Sequence, residues 1–190
     1  DRRTLSIGIT GHTNLDPQQT GKLEQAVNEA ICFIEQQFAQ HYLTIYSTLA
    51  AGAERLVARQ LLNREAARLI AILPLPQNDY LNEFAPSDDY RLNGQGAELR
   101  KELKYWLSHK AIEIIEMSPS STRNSAYLKA GYYIAEHSDV LIAIWDGNEQ
   151  EDSSITVQIV DKAEKLNKPV CHIWADNFEV DPIKTNAQGK

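Results

Sequence analysis

The chain has 190 residues, a formal net charge of −7, 43% hydrophobic and 24% charged residues. That length holds one domain with a full core, and the composition is ordinary for a soluble globular protein. The acidic balance argues against general nucleic-acid binding, which needs a basic face, but leaves room for a small anionic ligand in a locally positive pocket.

Cys32 and Cys171 fall in a helical and a strand pattern and read as small buried hydrophobes. Without paired Cys/His spacing, neither zinc nor a disulfide is expected, and no cofactor is assigned. No apolar run is long enough to span a bilayer and no signal-peptide pattern is visible, so no membrane partner is expected and the chain reads as cytoplasmic. The start at Asp1 rather than Met fits a chain processed or cut from something larger.

In chain order, Leu5 to Thr10 reads as a strand that runs into a turn at Gly11-His12-Thr13-Asn14. Asp16 then offers an N-cap, Pro17 a first helical residue and Gln19 the far half of a capping box. Leu23, Ala26, Val27, Ala30, Ile31, Ile34 and Phe38 recur at helical spacing and form one buried stripe. Leu43 to Thr48 is a second strand, and Leu49 to Arg55 turns through Gly52 into a helix with Leu56, Val57, Gln60 and Leu61 inside.

Arg68 to Leu73 is a third strand, closed by Pro74-Leu75-Pro76. From Gln77 to Gly96 periodicity fades, which leaves a binding loop or a surface insertion with a short helix near Tyr80 to Phe84. Ala97 to His109 is an amphipathic helix, and Ala111 to Ile115 a short strand. The polar loop Ser118 to Asn124 leads into a helix with Ala126, Tyr127, Ala130, Tyr133, Ile134 and His137 inward. Val140 to Trp145, nearly all apolar, is a central parallel strand ending in Asp146-Gly147. The polar loop Asn148 to Ser154 precedes a helix burying Ile155, Ile159, Val160, Ala163 and Leu166, and Val170 to Trp174 is the last strand.

This alternation predicts an α/β fold: a doubly wound, mainly parallel Rossmann-like sheet of five to six strands with helices on both faces. Residues 1–174 form the single domain, and 175–190 a polar tail or linker. Ligands in such sheets bind at the carboxyl ends of the strands, where strand order reverses. Four loops should meet there and supply Gly11, His12, Thr13, Asn14, Ala51, Gly52, Glu54, Arg55, Arg123, Tyr127, Asp146, Gly147, Ser153, Ser154 and Thr156. Unpartnered amides at helix starts suit an anion, and an arginine placed there opposes the helix dipole unless an anion is present. An ion pair of Arg55 with Glu54 is the bland alternative. No Ser or Cys nucleophile pairs with a His base, and no Walker A lysine pattern occurs.

The ordered series Gly8 to Leu15, Leu49 to Ala58, Ile72 to Pro76, Tyr127 to Ala135 and Ser138 to Gly147 resembles the SLOG superfamily of SMF/DprA-like and LOG-like Rossmannoid domains. The resemblance spans residues 5–174. It implies a Rossmann-like fold that binds nucleotides or nucleotide derivatives. Some members cleave the N-glycosidic bond of nucleoside monophosphates; others are sensors tied to effectors in bacterial immunity.

Hydrolase members carry Gly-Gly-x-Gly-Thr-x-x-Glu where this chain has Ser153-Ser154-Ile155-Thr156-Val157-Gln158. An amide at Gln158 cannot exchange a proton as the family's carboxylate does. The resemblance therefore implies a binding module: a sensor for a nucleotide or ADP-ribose-like ligand in a bacterial signalling or immunity system. The alternative is an N-glycosidase acting on nucleoside monophosphates, with Glu54 supplying the carboxylate; a scaffold role is a third option. The ligand's identity and its hydrolysis stay open, as do a homo-oligomer and a fused effector domain.

Overall fold

Val140 to Trp145 carries no charged residue, and five of its six residues are buried, as a strand covered on both faces requires. In a computed structural model of the chain it is β5 of a seven-stranded sheet, next to the middle strand. The structure describes residues 3–13, 15–39, 41–85, 94–145, 151–181 and 183; within 151–154 only the backbone is described.

The elements are β1 (Thr4–Gly11), α1 (Thr20–Gln37), β2 (Tyr42–Ser47), α2 (Ala53–Leu62), β3 (Arg68–Leu73), α3 (Gln77–Asn82), α4 (Gly96–His109), β4 (Ala111–Glu116), α5 (Arg123–His137), β5 (Val140–Trp145), α6 (Glu151–Lys165), β6 (Val170–Trp174) and β7 (Val180–Asp181). Strand order is β4-β3-β2-β1-β5-β6-β7, parallel except for β7. From β1 the chain moves outward through β2 and β3 to β4. It then returns to the other side of β1 with β5. The reversal falls between β1 and β5, paired from Ile7↔Val140 to Gly11↔Ile144.

One face of the sheet is covered by α1, α2, α3 and α4, with Val27, Ile31, Val57, Tyr80 and Leu103 packed on Ile7, Ile9 and Ile45. The other is covered by α5 and α6, with Ala130, Ile134, Ile159 and Ala163 on Ile70, Ile72 and Leu141. Apart from Tyr80, which lies where periodicity fades, these apolar positions fall in the strands and helices expected from the sequence. The mainly parallel α/β sheet with helices on both faces agrees with the expected Rossmann-like class.

The differences are local. The sheet has seven strands rather than five or six, because residues expected as a tail pair onto β6: Ile173↔Val180 and His172↔Asp181. Ile183 joins the core, so the packed fold continues past Trp174. Asp16 does not cap α1. Its Oδ1 accepts the Gln18 N–H at 2.9 Å in a turn that precedes the helix, and Gln19 is the N-cap. The segment after β3 contains α3, whose Tyr80 and Leu81 are buried with Phe84 just beyond it; residues 86–93 lie outside the description. His137, expected inward, is exposed and stacks on Tyr133 at 3.8 Å between ring centroids. Leu166, expected buried, is exposed.

Candidate functional site

The polypeptide between β2 and α2 makes the sharpest structure at the carboxyl end of the sheet. Leu49 adopts φ 59°, a left-handed conformation costly for a leucine, and Gly52 follows at φ 85°. The reason is Glu54. Its Oε2 accepts from Ser47 Oγ at 2.6 Å, Thr48 N and Thr48 Oγ1 at 2.8 Å, and Leu49 N at 3.1 Å. Four donors converging on one buried carboxylate oxygen hold the backbone in a shape it would not choose alone. Tyr80, fully buried, donates its hydroxyl to the Thr48 carbonyl at 2.7 Å and closes the loop from outside.

Burial pushes the Glu54 carboxyl up, against the hydrogen bonds from Ser47, Thr48 and Leu49, which pull it down. Glu54 also lines a cavity of about 40 Å³ at the β1/β5 reversal, together with Thr10, Gly11, Thr13, Thr48, Arg123, Tyr127 and Thr156. A carboxyl pushed toward its neutral form there is compatible with an anionic neighbour and suited to proton exchange. The space is enough for roughly two or three waters, hence for a small polar group rather than a whole nucleotide.

Arg123 opens α5 and reaches this cavity. The anion expected to offset an arginine at a helix start is supplied within the chain: Arg123 Nε donates to Glu83 Oε2 at 2.8 Å. Tyr127 Oη approaches the same oxygen at 3.3 Å, and the guanidinium lies 4.2 Å from the Tyr127 ring centroid. The start of α5 is closed by a capping box in which Thr122 Oγ1 accepts the Ser125 N–H and Ser125 Oγ accepts the Thr122 N–H.

Arg55, next to Glu54, leaves α2 toward α4. It is 1% exposed and donates from Nε to the Leu49 carbonyl at 2.7 Å and from Nη1 to the Leu99 carbonyl and Glu102 Oε1, both at 2.9 Å. The rings of Phe84 and Trp106 lie 5.0 and 5.5 Å from the guanidinium carbon. Its ion-pair partner is therefore Glu102, from α4, and not Glu54. Arg55 lines a second, larger groove of about 380 Å³, shared with Thr13, Ala51, Gly52 and Arg59.

Of the expected site residues, Gly11, Thr13, Glu54, Arg123, Tyr127 and Thr156 thus meet in the cavity, while Ala51, Gly52 and Arg55 line the groove, and Thr13 touches both. His12 lines neither; its backbone carbonyl accepts the Ala53 N–H at 2.9 Å and its N–H donates to Ile144 O at 3.2 Å. Gly11 does not make the tight turn. It ends β1, where an added Cβ would come within 2.7 Å of both Ala53 Cβ and the Ile144 carbonyl, so its role is close packing. Asn14, Asp146 and Gly147 lie outside the described residues, and so do the side chains of Ser153 and Ser154. The latter two fall within the first turn of α6, not before it. Gln158 is on the exposed side of α6.

Sequence reading missed Thr10, Ser47, Thr48, Tyr80 and Glu83. Buried hydroxyls at the carboxyl ends of otherwise apolar strands were the available signal for the first three. Among the described residues no group of His, Cys, Asp and Glu is placed to hold a metal ion, and no helix is long and apolar enough to cross a membrane.

No protein-family model and no curated protein matches the sequence. Among solved structures, the chain is similar to DNA processing protein A from Helicobacter pylori, described for its single-stranded DNA binding mode. The identity is 15%, the match covers 95% of this chain and 70% of that one, and the TM-score is 0.51. A conserved domain protein from Vibrio cholerae matches at 14% identity over 90% and 74% of the two chains, with a TM-score of 0.23 too low to carry an argument. The first likeness supports the Rossmann-like fold. It also corrects one expectation: net charge had argued against general nucleic-acid binding, yet a protein of this fold is described as binding single-stranded DNA, so that exclusion does not stand.

Proposed function

We propose that the chain is a SLOG-type binding domain that grips a nucleotide or nucleotide-derived, ADP-ribose-like ligand at the β1/β5 reversal, as a sensor in a bacterial signalling or immunity system. The observation that carries this reading is the convergence of Thr13, Glu54, Arg123, Tyr127 and Thr156 on one cavity at the topological switch point. The cavity's size suits one polar group of the ligand, a phosphoryl or ribose hydroxyl, with Arg123 as the charged donor. The likeness to a single-stranded DNA-binding protein supports a ligand built of nucleotides.

Calorimetry and thermal-shift measurements against nucleoside monophosphates, ADP-ribose and a short single-stranded oligonucleotide test the reading. Binding by at least one, weakened about tenfold or more in Arg123→Ala, is the expected result. Silence of the whole panel overturns it.

The N-glycosidase reading rests on a specific feature as well: Glu54 is a buried carboxyl, raised by that burial, which lines the cavity. Release of free base from a nucleoside monophosphate, abolished by Glu54→Gln with binding retained, would favour the enzyme over the sensor.

A further inference from the structure

The geometry points to a second anion subsite, in the groove lined by Arg55 and Arg59, that takes a further phosphoryl group of the ligand. It rests on the nucleotide reading above for the ligand's class, while the groove's own residues carry the site.

The first observation is an unmet donor. Arg55 is 1% exposed, and its Nε and Nη1 are engaged, but Nη2 is buried without a hydrogen-bond partner. Buried polar groups in folded proteins nearly always have a partner, so an unmatched guanidinium nitrogen on a residue that lines a groove is a donor left over for a ligand. A guanidinium is also the side chain best shaped for phosphate oxygens.

The second observation is charge. Glu102 is the one carboxylate shared by the two arginines: Oε1 accepts from Arg55 Nη1 and Arg59 Nη2, and Oε2 from Arg59 Nε. Two cations on one anion leave a surplus positive charge, although the whole chain carries −7. The residues lining the groove include both arginines, Thr13, Thr20 and Gln95, and no carboxylate among the described residues. The ten-residue helix α2 begins at this wall behind Gly52, so its dipole adds to the attraction.

The third observation is connection and size. Ala50 lines the cavity and Ala51 the groove, so the two spaces lie on either side of one turn, and Thr13 borders both. The groove's volume of about 380 Å³ falls in the range of small-molecule sites. A ligand with a single phosphoryl group engages one space. A diphosphate-bridged nucleotide of the ADP-ribose kind has the two anionic groups that would use both.

The test uses inorganic pyrophosphate as the probe, followed by calorimetry and by the Arg55 Nε–Hε resonance in proton–nitrogen spectra of the whole chain. Pyrophosphate is expected to shift that resonance in the wild type and in Arg123→Ala alike. Arg59→Gln, at a half-exposed position, should weaken binding about tenfold without moving the unfolding midpoint by more than a surface pair allows. Arg55→Lys keeps the charge but removes the guanidinium, Nη2 together with the donors to Leu49, Leu99 and Glu102, and should weaken it at least as much.

Two results would overturn the subsite: no shift of the Arg55 resonance at millimolar pyrophosphate, or binding lost in Arg123→Ala and untouched in Arg59→Gln. The second leaves the switch-point reading standing. The converse, nucleotide binding lost in Arg59→Gln and indifferent to Arg123→Ala, sinks that reading and keeps the subsite.

Discussion

Glu54 and Arg55 are consecutive residues of one helix, both buried, and they are satisfied in opposite ways. Glu54 takes its donors from Ser47, Thr48 and Leu49, all within seven residues. Arg55 takes one acceptor from Leu49 and the rest from Leu99 and Glu102, more than forty residues on. The carboxylate's shell is therefore a product of the local turn and closes with it. The guanidinium waits for α4 to dock, and even then one nitrogen stays unmet. A charge enclosed by its own turn shapes the backbone; a charge completed from a distant element keeps capacity for something else.

The most damaging way to break this contrast is Glu54→Ala. It strips the acceptor from the buried Thr48 amide and from the Ser47 and Thr48 hydroxyls, leaves the Leu49 amide to Ser47 Oγ alone at 2.9 Å, and weakens the support for a left-handed leucine. A loss of about 3 kcal/mol in urea unfolding is expected, since each orphaned buried donor costs about 1–3 kcal/mol. A loss under about 1 kcal/mol would mean that the shell re-forms on water and that Glu54 does not hold the turn.

The pH dependence sharpens the same contrast through two glutamates with opposite shifts. Burial raises Glu54, so between the ordinary carboxylate pKa, about 4.3, and its own higher value the fold retains a proton that the unfolded chain releases. Stability falls as pH rises through that window, and Glu54→Gln should flatten the decline. For Glu102 burial also pushes up, but hydrogen bonds and charge from Arg59 and Arg55 outweigh it and the carboxyl sits below its ordinary value. Its contribution is present above the ordinary range and is lost as pH falls through the lowered value, an acid-side loss that Glu102→Gln should remove. Identical pH profiles for the wild type and both variants would contradict these assignments.

What was legible in the sequence divides along the same line. Strands β3 and β5 follow from continuous apolar runs of strand length, β6 from alternation and the buried stripe of α1 from helical spacing, because all of these are local signals. The switch-point loops followed from the alternation of elements, and six of the expected residues do meet there. The side of α2 on which each charge emerges was not legible. Glu54–Arg55 reads as a neighbouring ion pair, and only the docking of α4 through Leu99 and Glu102 shows why it is not. The pairing of Val180 on Ile173 was likewise hidden, since a two-residue strand in a polar segment has no period to detect.

Gly52→Ala strikes both sides at once. Gly52 stands at φ 85°, and a Cβ there would press on the Thr13 carbonyl and come within 2.6 Å of the His12 carbonyl. A cost of about 2 kcal/mol is expected from the strained backbone, with weaker binding at the cavity and at the groove together. Gly21→Ala is the control, because nothing lies within 4 Å of the added methyl. It should be neutral or stabilise by up to about 1 kcal/mol. Equal effects of the two substitutions in thermal unfolding would argue that the turn is not fixed.

Tyr80→Phe makes the finest cut, because it acts on the Glu54 side and spares the Arg55 side. The ring is fully buried, edge-on to Phe84 at 5.4 Å and tilted against Tyr127 at 6.2 Å, and phenylalanine preserves those contacts. The hydroxyl's bond to the Thr48 carbonyl is lost together with its side-chain hydrogen bond with Tyr127, a net cost of about 1–2 kcal/mol with the fold intact. Thr48 lines the cavity and gives two donors to Glu54, so a loosened Thr48 should weaken the switch-point ligand. The Arg55 guanidinium keeps Phe84 and Trp106 beside it, and the pyrophosphate titration of its Nε–Hε resonance should stay as in the wild type. If Tyr80→Phe shifts both titrations equally, the cavity and the groove act as one site, and the separation of Glu54 from Arg55 has no consequence for binding.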